Sequence, residues 1–162
     1  MAKKRVDKGV PGMELLVCRN PKAAQRYEIE ERLEAGLVLY GTEVKSLRAR
    51  RANLEGAYCR IDDDELFLYG MHIAPYEQAG HSGHEPQRRR KLLVHKREIE
   101  KLRGRLTIRG HALVPLQVYF KNGVAKVQLG LGRGRKKGDR RETIRREEDL
   151  KEARDAMHRH KG

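Results

Sequence analysis

Three residues of one glycine-containing loop have the side chains of a metal site, namely His81, His84 and Glu85. Imidazole and carboxylate groups are common zinc ligands, but a structural zinc site takes four ligands and no fourth stands at a recognisable spacing. A mobile polar loop accounts for these residues more simply. The sequence therefore predicts no metal site and no cofactor.

A run of carboxylates, Asp62-Asp63-Asp64-Glu65, is the second candidate for chemistry, as a metal-binding or catalytic cluster. It lies between two apolar runs, and aspartate is favoured in tight turns because its side chain hydrogen-bonds to nearby backbone. The two serines, Ser46 and Ser82, lack the glycine-flanked pattern of a nucleophile. We expect no catalytic residue and no enzymatic activity.

Clusters of lysine and arginine are more informative. The 162-residue chain has a formal net charge of +14, which favours a polyanionic partner, either nucleic acid or an anionic membrane. No apolar run approaches the ~18–20 residues that cross a bilayer, so we expect no membrane partner. Cations that neutralise phosphates release counterions and bind RNA in a salt-sensitive way. The clusters are Lys3–Arg5, Arg48–Arg51, Arg88–Lys91 and Arg133–Arg141.

Aromatic residues make up only 5% of the chain, and Tyr27, Phe67 and Phe120 are assigned to the core. Recognition of RNA by shape and backbone is therefore expected, since base stacking needs exposed rings. Cys18 and Cys59 form no metal-binding pattern and are interpreted as reduced thiols of a cytoplasmic protein.

Alternating apolar residues predict the strands that position these groups. Tyr27 to Leu39 is interpreted as a hairpin that turns at Glu34–Gly36. A second hairpin is predicted around the turn Asp62–Glu65. A third is predicted around Asn122-Gly123, because both turn residues tolerate positive φ.

Two helices are predicted between these hairpins. Gly41–Arg48 is expected to be a short helix capped by Thr42, with Val44 and Leu47 facing the core and Lys45 and Arg48 facing solvent. A second apolar stripe, which predicts a helix ending near Gly104 or Gly110, contains Leu92, Leu93, Ile99, Leu102 and Leu106.

These elements predict a mainly β fold, a small antiparallel barrel of the oligonucleotide-binding (OB) type with two or three packed helices and a basic C-terminal tail. Residues 1–12 are expected to be a basic disordered arm and residues 13–132 the barrel domain. Residues 133–162 hold few apolar side chains but have good helix propensity. We expect this tail to be disordered when free and to fold on a polyanion.

Several ungapped motifs in this order resemble the SmpB family, which binds transfer-messenger RNA in bacterial trans-translation. The matching residues are Asn20 and Lys22, Tyr27–Glu31, Glu34–Leu37, Gly41–Arg48, Arg90–Leu93, Asn122-Gly123, Gly134–Lys137 and Asp139–Arg141. The resemblance implies an OB-type barrel that binds the transfer-RNA-like domain and replaces a missing anticodon arm. It also implies a tail that becomes helical in the empty message channel of a stalled ribosome, near the decoding centre. By the same resemblance, the nascent peptide is expected to be tagged for degradation, and the protein to be a monomer in the functional complex.

The resemblance also implies roles for individual residues. Asn20, Glu34 and Leu93 match family positions linked to RNA binding, while a turn or cap role, a solvated turn and core packing remain their respective alternatives. Expected phosphate contacts are Lys22, Lys45, Arg48, Lys91 and Lys126. Expected ribosome contacts in the tail are Arg135, Lys136, Lys137, Asp139, Arg140, Arg141 and Met157. Gly138 and Asp149 depart from some relatives, which carry a histidine and an aromatic residue there.

Two other hypotheses stay open at this point. A structural ribosomal protein could use the same barrel and basic tail. A metal-dependent RNA-processing enzyme could use the acidic turn or His81 and His84, although it lacks a complete ligand set.

Overall fold

The computed structural model describes residues 10–78, 83–135 and 144–154. Within these residues the strands are β1 (Leu15–Arg19), β2 (Tyr27–Leu37), β3 (Ala52–Asn53), β4 (Tyr58–Asp62), β5 (Glu65–Tyr69), β6 (His72–Ile73), β7 (Arg90–Leu93), β8 (His111–Lys121) and β9 (Val124–Gly134). The helices are α1 (Ala23–Arg26), α2 (Gly41–Arg48), α3 (Lys96–Leu106) and α4 (residues 144–154).

The main sheet is antiparallel and its pairings form a closed cycle. The order β8-β4-β5-β7-β2-β9 returns to β8 through the β8–β9 pair, and β1 adds to β8 beside β4. The shortest strand pairing in the cycle is that of β4 with β8, in which Cys59 lies opposite Leu113. Strands β3 and β6 form a separate two-stranded ribbon. The expected mainly β architecture with a few helices is confirmed.

The hydrophobic core fills the inside of this cycle. Side chains alternate across a strand, and the inward set on β5, β7 and β9 is fully buried, as at Leu66, Leu92 and Leu129. Two of the expected hairpins are confirmed. Asn122 and Gly123 join β8 to β9 with φ of 52° and 74°, and Asp63 and Asp64 join β4 to β5 with φ of 48° and 63°.

The predicted hairpin at Glu34–Gly36 is wrong. Strand β2 continues to Leu37 and pairs with β9 on one side and with β7 on the other, Gly36 lying opposite both Lys126 and Leu93. A Cβ atom on Gly36 would lie 3.3 Å from the Cβ of Leu93. Gly36 therefore serves the close approach of a neighbouring strand and not a turn.

The predicted helix containing Leu92 and Leu93 also needs correction. Both residues belong to β7, because this segment pairs with β2 and β5. Helix α3 begins at Lys96, runs through Gly104 and ends at Leu106. Leu102 is buried and Leu106 packs against the core, so this part of the predicted stripe is confirmed.

Helix α2 has the predicted bounds, and its apolar face is confirmed. Leu47 is fully buried, Val44 packs against the core, and Lys45 and Arg48 are exposed. The predicted Thr42 cap is wrong. Glu43 accepts the backbone N–H of Tyr40 at 2.8 Å, while the Thr42 hydroxyl lies 2.9 Å from His84 Nδ1. The helix start is thus held by a carboxylate in its first turn.

A fully buried ion pair joins α2 to β7. Glu43 and Arg90 have no exposed surface, and Arg90 Nε and Nη2 lie 2.7 and 2.6 Å from Glu43 Oε2. Arg88 contacts the other carboxylate oxygen, and Arg90 also donates to the carbonyl oxygens of Met71 and Pro86. Burial raises the pKa of Glu43, but the hydrogen bonds from Tyr40, Arg88 and Arg90 outweigh it and lower the pKa below its ordinary value.

Replacing Glu43 by glutamine should destabilise the fold by about 3 kcal/mol, because the buried charge of Arg90 would lose its partner. Urea unfolding followed by circular dichroism measures the change. The matched control is Glu77→Gln, since Glu77 is 80% exposed and meets Arg51 at 3.6 Å. Equal unfolding midpoints for Glu43→Gln and the wild type would contradict the account.

The same pair should make stability fall in acid. Because the folded-state pKa of Glu43 lies below the ordinary 4.5, its carboxylate stabilises the fold above that pH. The contribution is lost as pH falls from 4.5 through the lower folded-state value. The gap in unfolding free energy between the wild type and Glu43→Gln should therefore narrow on acidification. A difference in unfolding free energy that widens below pH 4.5 would instead mean that folding raises the pKa of Glu43.

Candidate nucleic-acid interface

Strands β2, β7, β8 and β9 present one continuous polar face on the outside of the barrel. Residues opposite each other in paired strands share a face, and one such row is Leu93, Gly36, Lys126 and Tyr119. A second row places Glu34 opposite Gln128, Gln128 opposite Gln117, and Gln117 opposite Arg19. We call this the outer face. Its members are Arg19, Arg32, Glu34, Leu93, Gln117, Tyr119, Lys121, Lys126 and Gln128.

Glu34 is held in place on this face by a buried tyrosine. The Tyr119 hydroxyl donates to Glu34 Oε2 at 2.6 Å, and Lys121 Nζ lies 3.5 Å from the carboxylate. Burial and the adjacent carboxylate both raise the pKa of Tyr119, so its proton stays on the phenol. The Glu34 side chain is 33% exposed, and a carboxylate accepts several hydrogen bonds. Glu34 can therefore accept further donors from outside.

The structure brings three of the predicted RNA contacts together around Gly36. Glu34 lies within β2 and not at a strand tip, with Lys126 on one neighbouring strand and Leu93 on the other. Leu93 is 55% exposed while Leu92 is buried, so core packing does not explain Leu93. Lys91 lies two residues from Leu93 on the same face of β7 and pairs with Glu65 at 3.1 Å.

Asn20 lies at one end of the outer face, just after β1. Its Nδ2 donates to the carbonyl oxygen of Pro115 at 3.0 Å, and its backbone N–H donates to Leu116 at 2.8 Å. It borders a cavity of about 580 Å³, and a second cavity of about 340 Å³ lies beside Glu34 and Tyr119. Arg32 and Gln128 line both cavities. Asn20 and Glu34 therefore belong to one surface.

Three predicted phosphate contacts lie off the outer face, on helices. Lys22 precedes α1 and pairs with Glu55. Lys45 Nζ lies 4.9 Å from the centre of the Tyr76 ring, and the Arg48 guanidinium lies 4.4 Å from that of Phe120. Lys45 and Arg48 are both exposed and lie one turn apart on α2, so these two residues form a basic patch separate from the outer face.

The predicted basic cluster Arg88–Lys91 is only partly at the surface. Arg90 is inside the fold, and Arg88 contacts Glu43 and covers the Tyr40 ring at 4.0 Å. Arg89 remains exposed, over the ring of Phe67 at 4.2 Å. Phe67 was expected in the core, but it is half-buried, because it faces outward on β5 beneath Arg89.

Of the candidate metal ligands in the loop, the structure describes His84 and Glu85, and His84 already has partners within the fold. His84 is buried between the Thr42 hydroxyl and the carbonyl oxygen of Ile73. His81 lies outside the described residues. In the described part of the chain no group of three histidine, cysteine or acidic side chains is placed to hold a metal ion. No described helix is long and apolar enough to cross a membrane.

Of the predicted tail residues, Arg135 is described and is tied to the barrel domain. Its backbone N–H donates to the carbonyl oxygen of Arg26 at 2.8 Å, and its Nε donates to that of Ala24 at 3.0 Å. The other predicted tail contacts, Lys136, Lys137, Asp139, Arg140, Arg141 and Met157, lie outside the described residues. Helix α4 follows, almost wholly exposed, and Gln25 donates to its Glu147 at 3.1 Å.

Sequence reasoning missed Arg32, Gln117, Tyr119 and Gln128 as outer-face residues. A signal for two of them was available. Gln117 and Tyr119 occupy the positions between the apolar residues Leu116, Val118 and Phe120, and alternate positions of a strand face opposite sides. A glutamine and a tyrosine at these alternate positions indicate that this side of the strand does not face the hydrophobic core.

Comparisons with known proteins identify the family of this chain. The family model described as "SmpB protein" matches residues 17–159. The "SsrA-binding protein" of Geobacter metallireducens is 50% identical over 144 residues, which covers 89% of this chain and 94% of that protein. The protein of the same description from Chloroflexus aurantiacus is 55% identical over 132 residues, 81% of this chain and 82% of that protein.

A solved structure gives the same relationship. It is described as "tmRNA-SmpB: a journey to the center of the bacterial ribosome" and has a TM-score of 0.64 and 45% sequence identity. The match covers 80% of this chain and 94% of that one. Sequence and fold therefore agree over most of the molecule, and this chain belongs to the SmpB family.

Proposed function

We propose that this protein binds transfer-messenger RNA through the outer face and accompanies it to stalled bacterial ribosomes in trans-translation. Its relatives are named SsrA-binding proteins, SsrA being transfer-messenger RNA, and its structural neighbour is a tmRNA–SmpB assembly on the ribosome. The protein then acts where ribosomes translate, in the cytoplasm. It works as an RNA-binding adaptor, a monomer in the functional complex that catalyses no reaction.

The observation that carries the proposal is the position of Glu34. Tyr119 orients its carboxylate by a hydrogen bond, and lysine side chains and an exposed leucine lie beside it. A carboxylate repels phosphate, so Glu34 has no place in a purely electrostatic RNA contact. It is suited to accept hydrogen bonds from base amino groups or ribose hydroxyls. Leu93 can pack against a sugar or base, and Lys126 can neutralise a phosphate beside it.

The remaining cations position the RNA without reading its sequence. Phosphate contacts fix the register of a nucleic acid, while contacts to base edges and ribose carry specificity. Lys22, Lys45, Arg48 and Lys91 suit the first role, because they are at least partly exposed at the surface. Glu34 and Asn20 suit the second, because an amide both donates and accepts hydrogen bonds.

The chain beyond Arg135 is proposed to contact the ribosome. Helix α4 is almost wholly exposed and packs against little of the barrel, so it is available to a partner. We assign Lys136, Lys137, Asp139, Arg140, Arg141 and Met157 to the decoding centre and the empty message channel, together with Arg135. Gly138 and Asp149 supply no ring, so stacking on ribosomal bases is not assigned to these positions.

Glu34→Ala should weaken binding to the transfer-RNA-like domain by about 10-fold or more, since a carboxylate contact to RNA bases contributes ~1–3 kcal/mol. Tyr119→Phe removes the hydroxyl that orients Glu34 and should cost about 5-fold. Electrophoretic mobility shift at fixed salt measures both, with circular dichroism to check folding. Glu100→Ala is the control, an exposed glutamate of α3 that lines neither outer-face cavity. Unchanged affinity of folded Glu34→Ala would contradict the proposed contact.

Truncation after Arg135 should separate RNA binding from ribosome function. The cut keeps β9 complete and preserves the bonds from Arg135 to Arg26 and Ala24. The truncated protein should bind the transfer-RNA-like domain with nearly wild-type affinity but fail to support peptide tagging on ribosomes stalled without message. Full tagging by the truncated protein would show that the tail is dispensable.

A further inference from the structure

The larger outer-face cavity has a floor built from two buried amides. Gln117 and Gln128 are 9% and 8% exposed and lie opposite each other in the β8–β9 pair. Gln117 Nε2 donates to Gln128 Oε1 at 3.0 Å, and Arg32 Nη1 approaches the same oxygen at 3.5 Å. These bonds fix the orientation of both side chains, because each amide has a defined donor and acceptor end.

One donor and one acceptor remain at this floor. Among the described residues, the carbonyl oxygen of Gln117 and the amino group of Gln128 have no hydrogen-bond partner. Neither atom is among the fully buried side-chain atoms without a partner, so both remain accessible to solvent and to a ligand. The Watson–Crick edge of each nucleobase presents a donor beside an acceptor, and side-chain amides are suited to pair with such an edge. The floor is therefore complementary to the edge of one base.

The size and walls of the cavity suit the rest of a nucleotide. Its volume of about 580 Å³ lies within the range of ~300–1,000 Å³ that is typical of small-ligand sites. Its lining includes Ala23 and Ala24 of α1 together with Ile29 and Leu116, whose side chains lie next to each other beside Gly130. Such apolar side chains can cover the face of a base.

Cations border the same cavity. Arg19 and Arg32 line it and are exposed, so a phosphate attached to the bound nucleotide would meet positive charge. Asn20 lines it as well, and the cavity shares Arg32 and Gln128 with the one beside Glu34. A single RNA strand could therefore contact Glu34 and reach this cavity without leaving the outer face.

We propose that this cavity takes one unpaired base of the bound RNA and that Gln117 and Gln128 read its edge. The inference rests on the proposed function, because the RNA is the one that the outer face binds. It adds a base-binding site to the surface, since lysine and arginine contacts to phosphate do not involve the bases.

Coupling between a cavity-filling variant and an abasic RNA tests the proposal. Unpaired positions of the transfer-RNA-like domain are replaced one at a time by abasic sites, and affinity is measured for the wild type and for Ala24→Leu. One position should weaken wild-type binding by about 10-fold. Ala24→Leu should bind the intact RNA about 10-fold more weakly, and the same abasic site should then have no further effect.

A second variant tests the amide floor. Gln128→Glu keeps an oxygen for Gln117 and Arg32 but replaces the free amino donor by an acceptor. It should weaken binding of the intact RNA and lose sensitivity to the same abasic position. Ala153→Leu is the matched control, because Ala153 is exposed, lines neither outer-face cavity and lies beyond Arg135, in the part of the chain that we expect to be dispensable for binding the transfer-RNA-like domain. It should behave as the wild type does.

The outcomes separate the cavity from the proposed function. If the wild type binds the transfer-RNA-like domain but no abasic position is coupled to Ala24→Leu, the cavity takes no base and the inference is overturned while the function stands. If the wild type does not prefer this RNA to an ordinary transfer RNA, the proposed function fails and the inference fails with it. Should Gln128→Glu not fold, the result with Ala24→Leu decides.

Discussion

The buried pair between Glu43 and Arg90 is the constraint on which the rest of the structure depends. The pair links α2 to β7, and Arg90 also donates hydrogen bonds to the carbonyl oxygens of Met71 and Pro86. Two buried charges are costly unless they are paired and fully hydrogen-bonded, so the surrounding segments must keep one arrangement. Strand β7 is thereby fixed beside β2, where it completes the closed cycle of strands and presents Leu93 on the outer face.

The charged residues of this protein thus divide into two groups with different roles. Glu43, Arg88 and Arg90 are used inside the fold, where the one carboxylate pairs with both guanidinium groups. Glu34, Arg32 and Lys126 remain on the outer face, where the barrel leaves their charges partly exposed to a ligand. The side chains proposed to bind RNA lie mainly on strands, where neighbouring strands hold them in place. Tyr119 orients Glu34, and the β8–β9 register places Gln117 opposite Gln128. Pre-positioned groups bind without a further ordering cost.

The sequence was sufficient where structure is decided locally and insufficient where it is decided by distant residues. The turns at Asn122-Gly123 and Asp63-Asp64 were predictable, because positive φ is a property of the turn residues themselves. Gly36 was misassigned to a turn because the reason for its glycine is Leu93 on another strand. Arg90 was assigned to RNA because its partner lies 47 residues away. Glu34, Asn20 and Leu93 were proposed from family motifs. Strand alternation could have indicated Gln117 and Tyr119, whereas the position of Gln128 opposite Gln117 required the strand register.

The central claim is that RNA lies on the outer face of the β2–β7–β9 sheet. A photo-crosslinking amino acid placed at Leu93 tests it most directly, with one at Ile108 as the control, since both residues are about half exposed. With the transfer-RNA-like domain bound, the account predicts a strong RNA crosslink from Leu93 and little from Ile108, in the loop between α3 and β8. A crosslink from Ile108 without one from Leu93, in proteins of equal affinity for the RNA, would contradict it.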